Sequence, residues 1–276
     1  MAEITAALVR ELRDETGLPM MDCKKALQEN NGDKEAAKKN LRERGIKLGA
    51  SRSSRETAFG RFGIQAGVDK KAGAIVEVKC ESAPVANSEG FIQFANDLAQ
   101  ALATSNATTA DDLLNQPCPS QPGKTLKDVK DDMFNRIREV FNIGRMKRLE
   151  GSTGGYSHNS GTVSGVLVGV EGGNDVAAKD VSMHVAAMHP LAVVKEEIDP
   201  ALVASEREIL RAAALAEGKP ANIVDKMVEG RLKNFYAEKV LSEQPFVKEN
   251  TQTVAAYASG HKMKIKQFVH WVLGKE

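Results

Sequence analysis

Two stretches of the chain, Gly73-Ala74-Ile75-Val76-Glu77-Val78-Lys79 and Gly165-Val166-Leu167-Val168-Gly169-Val170-Glu171, match almost position for position. Their β-branched residues and flanking glycines are typical of strands. A helical apolar period follows each stretch, first over about Val85–Ala103 and then over a segment that carries Val181 and Val185. Two copies of this plan predict an α+β protein with two related core subdomains and antiparallel sheets.

The repeat leaves four further parts of the chain to assign. Residues 1–48 carry three short helical patterns and predict a three-helix bundle, and the Ser/Arg/Gly-rich residues 49–60 predict a linker. The N-terminal core subdomain is expected over residues 61–150 and the C-terminal one over residues 151–276. Within the latter, two helices around Gly218-Lys219-Pro220 predict a helical hairpin inserted at about residues 200–241.

The bundle offers the first candidate binding residues. An apolar stripe runs from Ile4 to Leu12 in the first helix, and Gly45 is expected to end the third. Met20 and Met21 open the second helix, where adjacent side chains cannot both face one small core. One of them is therefore expected to be exposed, as suits an adaptable contact surface.

The predicted hairpin carries an apolar line on each arm. The first line comprises Leu202, Ile209 and Ala213, and the second comprises Ile223, Met227, Val228, Leu232 and Phe235. Because each arm carries its own stripe, we expect the hairpin to be separable from the core. Its outer apolar positions favour either a homodimer through the hairpin or a contact with another protein.

Composition bounds the function. The formal net charge of the 276 residues is +1, which gives no general electrostatic reason for a nucleic-acid or membrane partner. Cys23, Cys80 and Cys118 are odd in number and widely spaced, so neither a disulfide framework nor a zinc site is indicated. The N-terminus lacks the pattern of a signal peptide, and a cytoplasmic location is expected.

No catalytic constellation is readable. Pro122-Gly123-Lys124-Thr125 ends like a phosphate-binding loop, but Cys118 stands where that motif needs glycine. His184 and His189 are five residues apart, so a packing or capping role is favoured over metal ligation. Arg145–Arg148 is interpreted as a solvated helix face. We therefore expect a protein that is not an enzyme and that uses no cofactor.

Several runs, in the right order along nearly the whole chain, resemble the bacterial translation elongation factor Ts family. They are Leu12-Arg13-Asp14-Glu15-Thr16-Gly17, Met20-Met21-Asp22-Cys23-Lys24-Lys25-Ala26-Leu27, Asn31-Gly32-Asp33, Tyr156-x-His158, Met183-His184-Val185-Ala186-Ala187, Lys226-Met227-Val228-Glu229-Gly230-Arg231 and Gln244-Pro245-Phe246-Val247. The resemblance implies that the bundle is ubiquitin-associated-like (UBA-like) and that the hairpin is the coiled-coil protrusion of the family.

The resemblance also implies a function. Members of the family bind elongation factor Tu (EF-Tu) and act as guanine nucleotide exchange factors, which promote release of GDP by disturbing the Mg²⁺ and phosphate site. Carried over to this sequence, the partner contacts are Met20, Met21 and His158, which lies in a predicted loop. The stretch that dislocates Mg²⁺ is Ser82, Ala83, Pro84 and Val85. No direct contact with nucleic acid is implied.

One departure concerns that last stretch. The family usually has Thr-Asp-Phe-Val, whereas this chain has Ser82-Ala83-Pro84-Val85 and so lacks the carboxylate and the aromatic ring. Ser82 is still expected to cap the following helix, and proline is tolerated in a first turn. Two alternatives stay open beside exchange: a chaperone-like module that binds EF-Tu with weak or no exchange activity, and an enzyme with an unrecognised site.

Overall fold

The computed structural model describes residues 4–52, 54–218 and 220–275. The helices of the described residues are α1 (Ala6–Thr16), α2 (Met20–Glu29), α3 (Lys34–Arg52), α4 (Ala83–Ala86), α5 (Glu89–Thr104), α6 (Ala110–Leu114), α7 (Leu126–Ile137), α8 (Asp175–Met188), α9 (Pro200–Ala216), α10 (Ala221–Lys239) and α11 (Val254–Gly260). The strands are β1 (Phe59–Gln65), β2 (Ala72–Cys80), β3 (Asn142–Glu150), β4 (Thr153–His158), β5 (Ser164–Gly172), β6 (Pro245–Phe246), β7 (Glu249–Thr253) and β8 (Met263–Val272). Among these helices none combines the length and the apolar character needed to cross a membrane.

The chain divides into two compact units, and each is built from two stretches of sequence. The first unit contains the chain up to Gly63 and Val76–Met146, and the second contains Ile64–Ile75 and the chain from Lys147 onward. β1, β2 and β3 form one three-stranded sheet in that order, and β4, β5 and β8 form another. The α+β class is thus confirmed, whereas the predicted domain boundaries stay predictions.

Side-chain caps set the ends of the N-terminal helices. The Thr5 hydroxyl accepts a hydrogen bond of 3.3 Å from the backbone N–H of Leu8, and Gly17 ends α1 with a φ of 68°. The Asp33 carboxylate accepts one of 3.0 Å from the N–H of Ala36. The three helices share a core made of Val9, Leu12, Leu18, Cys23, Ala26, Leu27, Ala37 and Leu41.

The third helix does not end at Gly45, and that prediction is wrong. α3 continues to Arg52, so the first residues of the predicted linker are helical. Gly45 lies against Asn135 of α7, and a Cβ at this position would overlap with the Asn135 carboxamide. Close packing between two helices, and not helix termination, accounts for the glycine.

Two further predictions in the first unit are wrong. The helix expected over Val85–Ala103 is divided into α4 and α5, because the chain turns at Asn87 and the Ser88 hydroxyl caps α5. Arg145–Arg148 lies in β3 and not on a helix. Arg145 forms an ion pair of 2.9 Å with Glu77, which is buried in β2, so a tertiary partner explains this basic residue.

The sheet of the second unit is antiparallel, as predicted. Tyr156 of β4 lies opposite Val166 of β5, which in turn lies opposite His270 of β8. Helix α8 packs closely on this sheet, since a Cβ at Gly154 would meet the backbone of Ala178. The core between them consists of Val166, Val168, Val170, Ala177, Ala178, Val181, Val185, Leu241, Phe246, Val254, Ala258 and Met263.

The hairpin of α9 and α10 is present where it was predicted, with Lys219 of its loop outside the described residues. Its predicted lining is wrong for the first arm, because Leu202, Ile209 and Ala213 are exposed. The buried face lies one residue further along, at Val203, Leu210 and Ala214, which pack with Val224, Val228 and Leu232 of α10. Ile223, predicted on the second arm, is also exposed, whereas Val228 and Leu232 are buried as predicted.

Two ion pairs between exposed side chains accompany the packing of α9 on α10. Arg207 pairs with Glu229, and Arg211 pairs with Asp225 at 3.3 Å. One residue corresponds to about 100° of rotation in a helix, so the predicted stripe lies about a quarter turn away from the observed one. The hairpin therefore has one face bearing interhelical ion pairs and another bearing exposed apolar side chains.

Candidate partner-binding surface

Met20 and Met21 lie in the first turn of α2, and both are exposed. Met20 is 39% exposed and Met21 is 71% exposed, whereas Cys23 and Leu27 on the same helix are fully buried. Positions 23 and 27 share the face that meets α1 and α3, and Met21 is turned away from that face. Met20 is on the same side of α2 as these two residues, and it is partly exposed as the first residue of the helix. Two neighbouring exposed methionines form an apolar, flexible surface suited to protein contact.

Ser82–Val85 leads from β2 into the single turn of α4. Ser82 occupies the capping position, but its hydroxyl makes no capping hydrogen bond, so that prediction is wrong. The hydroxyl donates instead to Oε1 of Glu139 at 2.6 Å. Pro84 is exposed in the first turn, where proline is tolerated, and Ala83 and Val85 are half-buried. The stretch thus presents a small ring to solvent on a firmly held backbone.

His158 is the last residue of β4, so the predicted loop position is wrong. A hydrogen bond of 3.1 Å joins its Nδ1 to the hydroxyl of Tyr156. The two rings alternate with Ser157 along the strand, so they lie on the same face of the sheet. The Tyr156 contact fixes the orientation of the half-buried imidazole at the end of the strand.

Two motifs that lie 60 residues apart in the chain meet at His184. Nε2 of His184 is 2.8 Å from Oε1 of Gln244, and Nδ1 accepts a hydrogen bond of 3.1 Å from the N–H of Val247. Since an amide oxygen only accepts, Nε2 carries the proton. Burial lowers the pKa of His184, which keeps the ring neutral. The packing role predicted for this histidine is confirmed.

This network holds an apolar surface that the sequence did not indicate. Gln244 also donates to the carbonyls of Glu238 at 2.7 Å and of Met188 at 3.4 Å. Met188 is 41% exposed, Val247 is 47% exposed and nearby Leu191 is 57% exposed. The sequence motifs that contain His184 and Gln244 could have pointed to this surface. A buried polar network whose hydrogen bonds are all made fixes the positions of the residues around it.

The described residues offer no metal or thiol chemistry at these positions. No group of three or more His, Cys, Asp or Glu that could hold a metal ion occurs among them. All three cysteines are free and buried. Beside the start of α4, burial raises the pKa of the Cys80 thiol to about 11, so it stays protonated and unreactive near neutral pH.

Residues 69–275 match the family model described as elongation factor TS. The chain is 42% identical over 275 residues to elongation factor Ts of Methylococcus capsulatus, an alignment that covers 99% of this chain and 92% of that protein. The chain belongs to the elongation factor Ts family. It is also 40% identical over 284 residues to elongation factor Ts of Hyphomonas neptunium, covering 100% of this chain and 93% of the relative.

A further relative shows a similar degree of identity. Elongation factor Ts of Clostridium botulinum (strain Eklund 17B) is 38% identical over 286 residues, covering 99% of this chain and 93% of the relative. The elongation factor Ts match therefore spans both units of the fold, including α2, α4 and β4. The chain is accordingly a translation elongation factor.

Proposed function

We propose that this chain is a guanine nucleotide exchange factor that binds EF-Tu in its GDP form and promotes GDP release by disturbing the Mg²⁺ and phosphate site. It acts in the cytoplasm through binding alone, without a cofactor and without direct contact with nucleic acid. The observation that carries the proposal is family membership over the whole chain combined with exposure of Met20, Met21 and Pro84.

The mechanism follows from linkage. A protein that binds more tightly to the state of a GTPase whose phosphate contacts are loosened must weaken nucleotide binding by the same factor. Affinity for the partner comes from the α2 methionines, from His158 and from the apolar surface around Val247. The start of α4 supplies the part of the binding energy that differs between the tight and the loosened states.

A second candidate function is a chaperone-like module that binds EF-Tu with weak or no exchange activity. The chemistry of Ala83 and Pro84 favours this candidate, because neither residue offers a charge or a large ring. The exposed proline makes only a small apolar contact. The coupling free energy between two ligands is typically about 1–3 kcal/mol. Loss of the family's Asp and Phe side chains at this position removes a sizeable part of it.

The release rate of GDP decides between the two. Stopped-flow with a fluorescent GDP analogue is measured for EF-Tu alone, with the parent chain, and with the double variant Ala83→Asp, Pro84→Phe. We expect the parent to accelerate release and the double variant to accelerate it further, with little change in affinity for nucleotide-free EF-Tu. Val176→Phe is the matched control, since Val176 is exposed in the first turn of another helix.

The binding and release measurements distinguish the two candidate functions. Binding without any acceleration by the parent supports the chaperone-like module and refutes exchange. Absence of binding refutes both candidates. A double variant that is folded and no faster than the parent shows that the start of α4 contributes nothing to release in this chain.

The exposed face of the hairpin supports a further part of the proposal, self-association into a homodimer. Leu202, Ile209 and Ile223 are each more than 40% exposed, and Leu202 and Ile209 lie on one face because they are seven residues apart. Sedimentation at rising protein concentration should show a dimer that Ile209→Glu abolishes. Leu215→Glu, at another exposed apolar position of α9, is the control, and a monomer at all concentrations refutes the dimer.

A further inference from the structure

Arg138 follows α7 in a conformation that arginine rarely adopts. Its φ is 65° and its ψ is 18°, which is the left-handed region. Glycine occupies this capping position at low cost, whereas a residue with a Cβ is disfavoured there. The N–H of Arg138 makes the capping bond to the carbonyl of Phe134, which any residue other than proline also provides. Unlike glycine, arginine has a side chain at this position that can make further contacts.

The side chain of Arg138 reaches the candidate surface on α2. Nη2 donates a hydrogen bond of 3.0 Å to Oδ2 of Asp22, the residue directly after Met21. Both side chains are about one-third to one-half exposed, at 32% and 45%. The ion pair ties the first turn of α2 to the end of α7, in addition to the packing of the bundle itself.

The next residue, Glu139, holds the start of α4. Its Oε1 accepts the 2.6 Å hydrogen bond from the Ser82 hydroxyl, and Val140 then donates its N–H to Oε1 of Glu81 at 2.8 Å. Adjacent Cα atoms are about 3.8 Å apart, so the anchors of α2 and of α4 lie within one short piece of backbone. Val140 is buried, which fixes that piece to the core of the unit.

We infer that Arg138 and Glu139 are positioning residues, which hold Met20–Met21 and Ser82–Val85 as one preorganised contact surface. A surface that is already ordered loses less conformational entropy when a partner binds, so it binds more tightly with the same contacts. The identity of the partner rests on the proposed function. The ordering itself does not, because it is a property of the free chain.

Hydrogen–deuterium exchange on the free chain tests the ordering. Arg138→Gly removes the ion pair while keeping a residue that favours the left-handed conformation, so the fold should be retained. We expect exchange over the first turn of α2 to be up to about fivefold faster, which corresponds to the loss of one partly exposed ion pair. Glu139→Ala should speed exchange over Ser82–Ala86, and Glu139→Gln, which keeps an acceptor oxygen, should restore it.

Asn31→Gly is the matched control for the backbone change. Asn31 is another exposed residue of the first unit with a positive φ, of 51°, and its replacement should leave both segments unaffected. Arg138→Lys, which keeps the cation, should retain most of the protection of α2. Unchanged exchange in Arg138→Gly and Glu139→Ala, with unfolding midpoints like that of the parent, would overturn the inference whatever the partner proves to be.

Affinity for nucleotide-free EF-Tu then tests the functional consequence. Arg138→Gly and Asp22→Asn should each weaken binding, and the double variant should be no weaker than the worse single variant, because both act through one contact. Additive losses would mean that Asp22 contacts the partner directly and would refute positioning by Arg138. If the parent does not bind, only the proposed function is refuted. Hydrogen–deuterium exchange on the free chain still decides whether Arg138 and Glu139 order the two segments.

Discussion

The backbone of Gly45 in α3 lies directly against the side-chain amide of Asn135 in α7, with no room for a Cβ between them. Gly45→Ala should therefore lower the free energy of unfolding by about 1–3 kcal/mol, because one of the helices must shift or Asn135 must leave its rotamer. Urea denaturation measures this loss. Removing the obstacle with Asn135→Ala in the same chain should recover part of it, as a double-mutant cycle would show.

Gly230→Ala is the control for this prediction. Gly230 lies within α10, and a Cβ added there meets nothing within 4 Å. Alanine should stabilise that helix by about 0.5–1 kcal/mol, since it loses less conformational entropy on folding. Equal effects of the two substitutions would mean that Gly45 reflects helix propensity and not packing.

A charge at the start of α2 should weaken partner binding without unfolding the bundle. Met21 is 71% exposed, so Met21→Glu removes no buried contact. We expect an affinity for EF-Tu at least about tenfold lower, because desolvating a carboxylate against an apolar surface is costly, and an unchanged thermal midpoint. Met20→Glu should act in the same direction. Gln28→Glu adds the same charge to an exposed position of α2 and should bind like the parent.

Excision of the hairpin should leave the core folded only when its base is kept. Ala192, Ile198 and Val240 form a cluster at the base, against which Val203, Phe235 and Tyr236 pack. Replacement of residues 206–233 by a short Gly/Ser linker keeps this cluster and should leave the unfolding midpoint of the core unchanged. Replacement of residues 203–238 removes all three side chains that pack against the cluster, so the hairpin is not expected to be separable at these bounds and the midpoint should fall.

Two outcomes would contradict this prediction. If the shorter excision also abolishes cooperative unfolding, the arms are structural beyond their base. If the longer one unfolds like the parent, the base cluster contributes nothing measurable to the core.

Acid should destabilise the second unit through His270. Its ring centroid is 4.8 Å from that of His189, and burial, followed by the nearby His189, lowers the pKa of His270 to about 4. The unfolded chain, with an ordinary histidine pKa of about 6.5, takes up a proton first as pH falls. The stabilising contribution is therefore complete above pH of about 6.5 and is lost progressively down to about 4.

Urea denaturation at about pH 7 and about pH 5 measures this effect, in a range above the titration of most carboxylates. The free energy of unfolding should fall less in His270→Asn than in the parent. His261→Asn replaces an exposed histidine and should behave like the parent. A parent and a His270→Asn variant with the same pH dependence would refute the assignment, because buried His184 contributes equally to both.

Most of the fold could be predicted from short-range sequence patterns. The duplicated strand pattern of β2 and β5 predicted the two-subdomain α+β plan, and caps at Thr5 and Asp33 follow from side chains that bond within their own turn. Where the partner is distant in sequence, prediction failed. Gly45 is typical of a helix stop until Asn135 is placed against it. α9 carries two apolar stripes, and only the packing against α10 shows which of them is buried.

The candidate site shows the same limit. The family resemblance was enough to predict the contact residues Met20, Met21 and His158 and the start of α4. Helical geometry predicted that a methionine is exposed. Arg138 and Glu139 gave no sequence signal, because neither a left-handed arginine nor its contact with Asp22 has a local pattern. The apolar side chains around Val247 were missed for a similar reason, since their exposure depends on the His184 network.

The bond between His184 and Gln244 has a consequence for how the second unit folds. Its two residues are 60 positions apart, and the hairpin makes up most of the intervening chain. If α9 and α10 pair early, as local helices do, the open segment to be closed shrinks to roughly 20 residues, which lowers the entropic cost by about 1 kcal/mol. Early pairing of α9 and α10 would then assist the folding of the second unit, because it shortens the chain that separates His184 from Gln244.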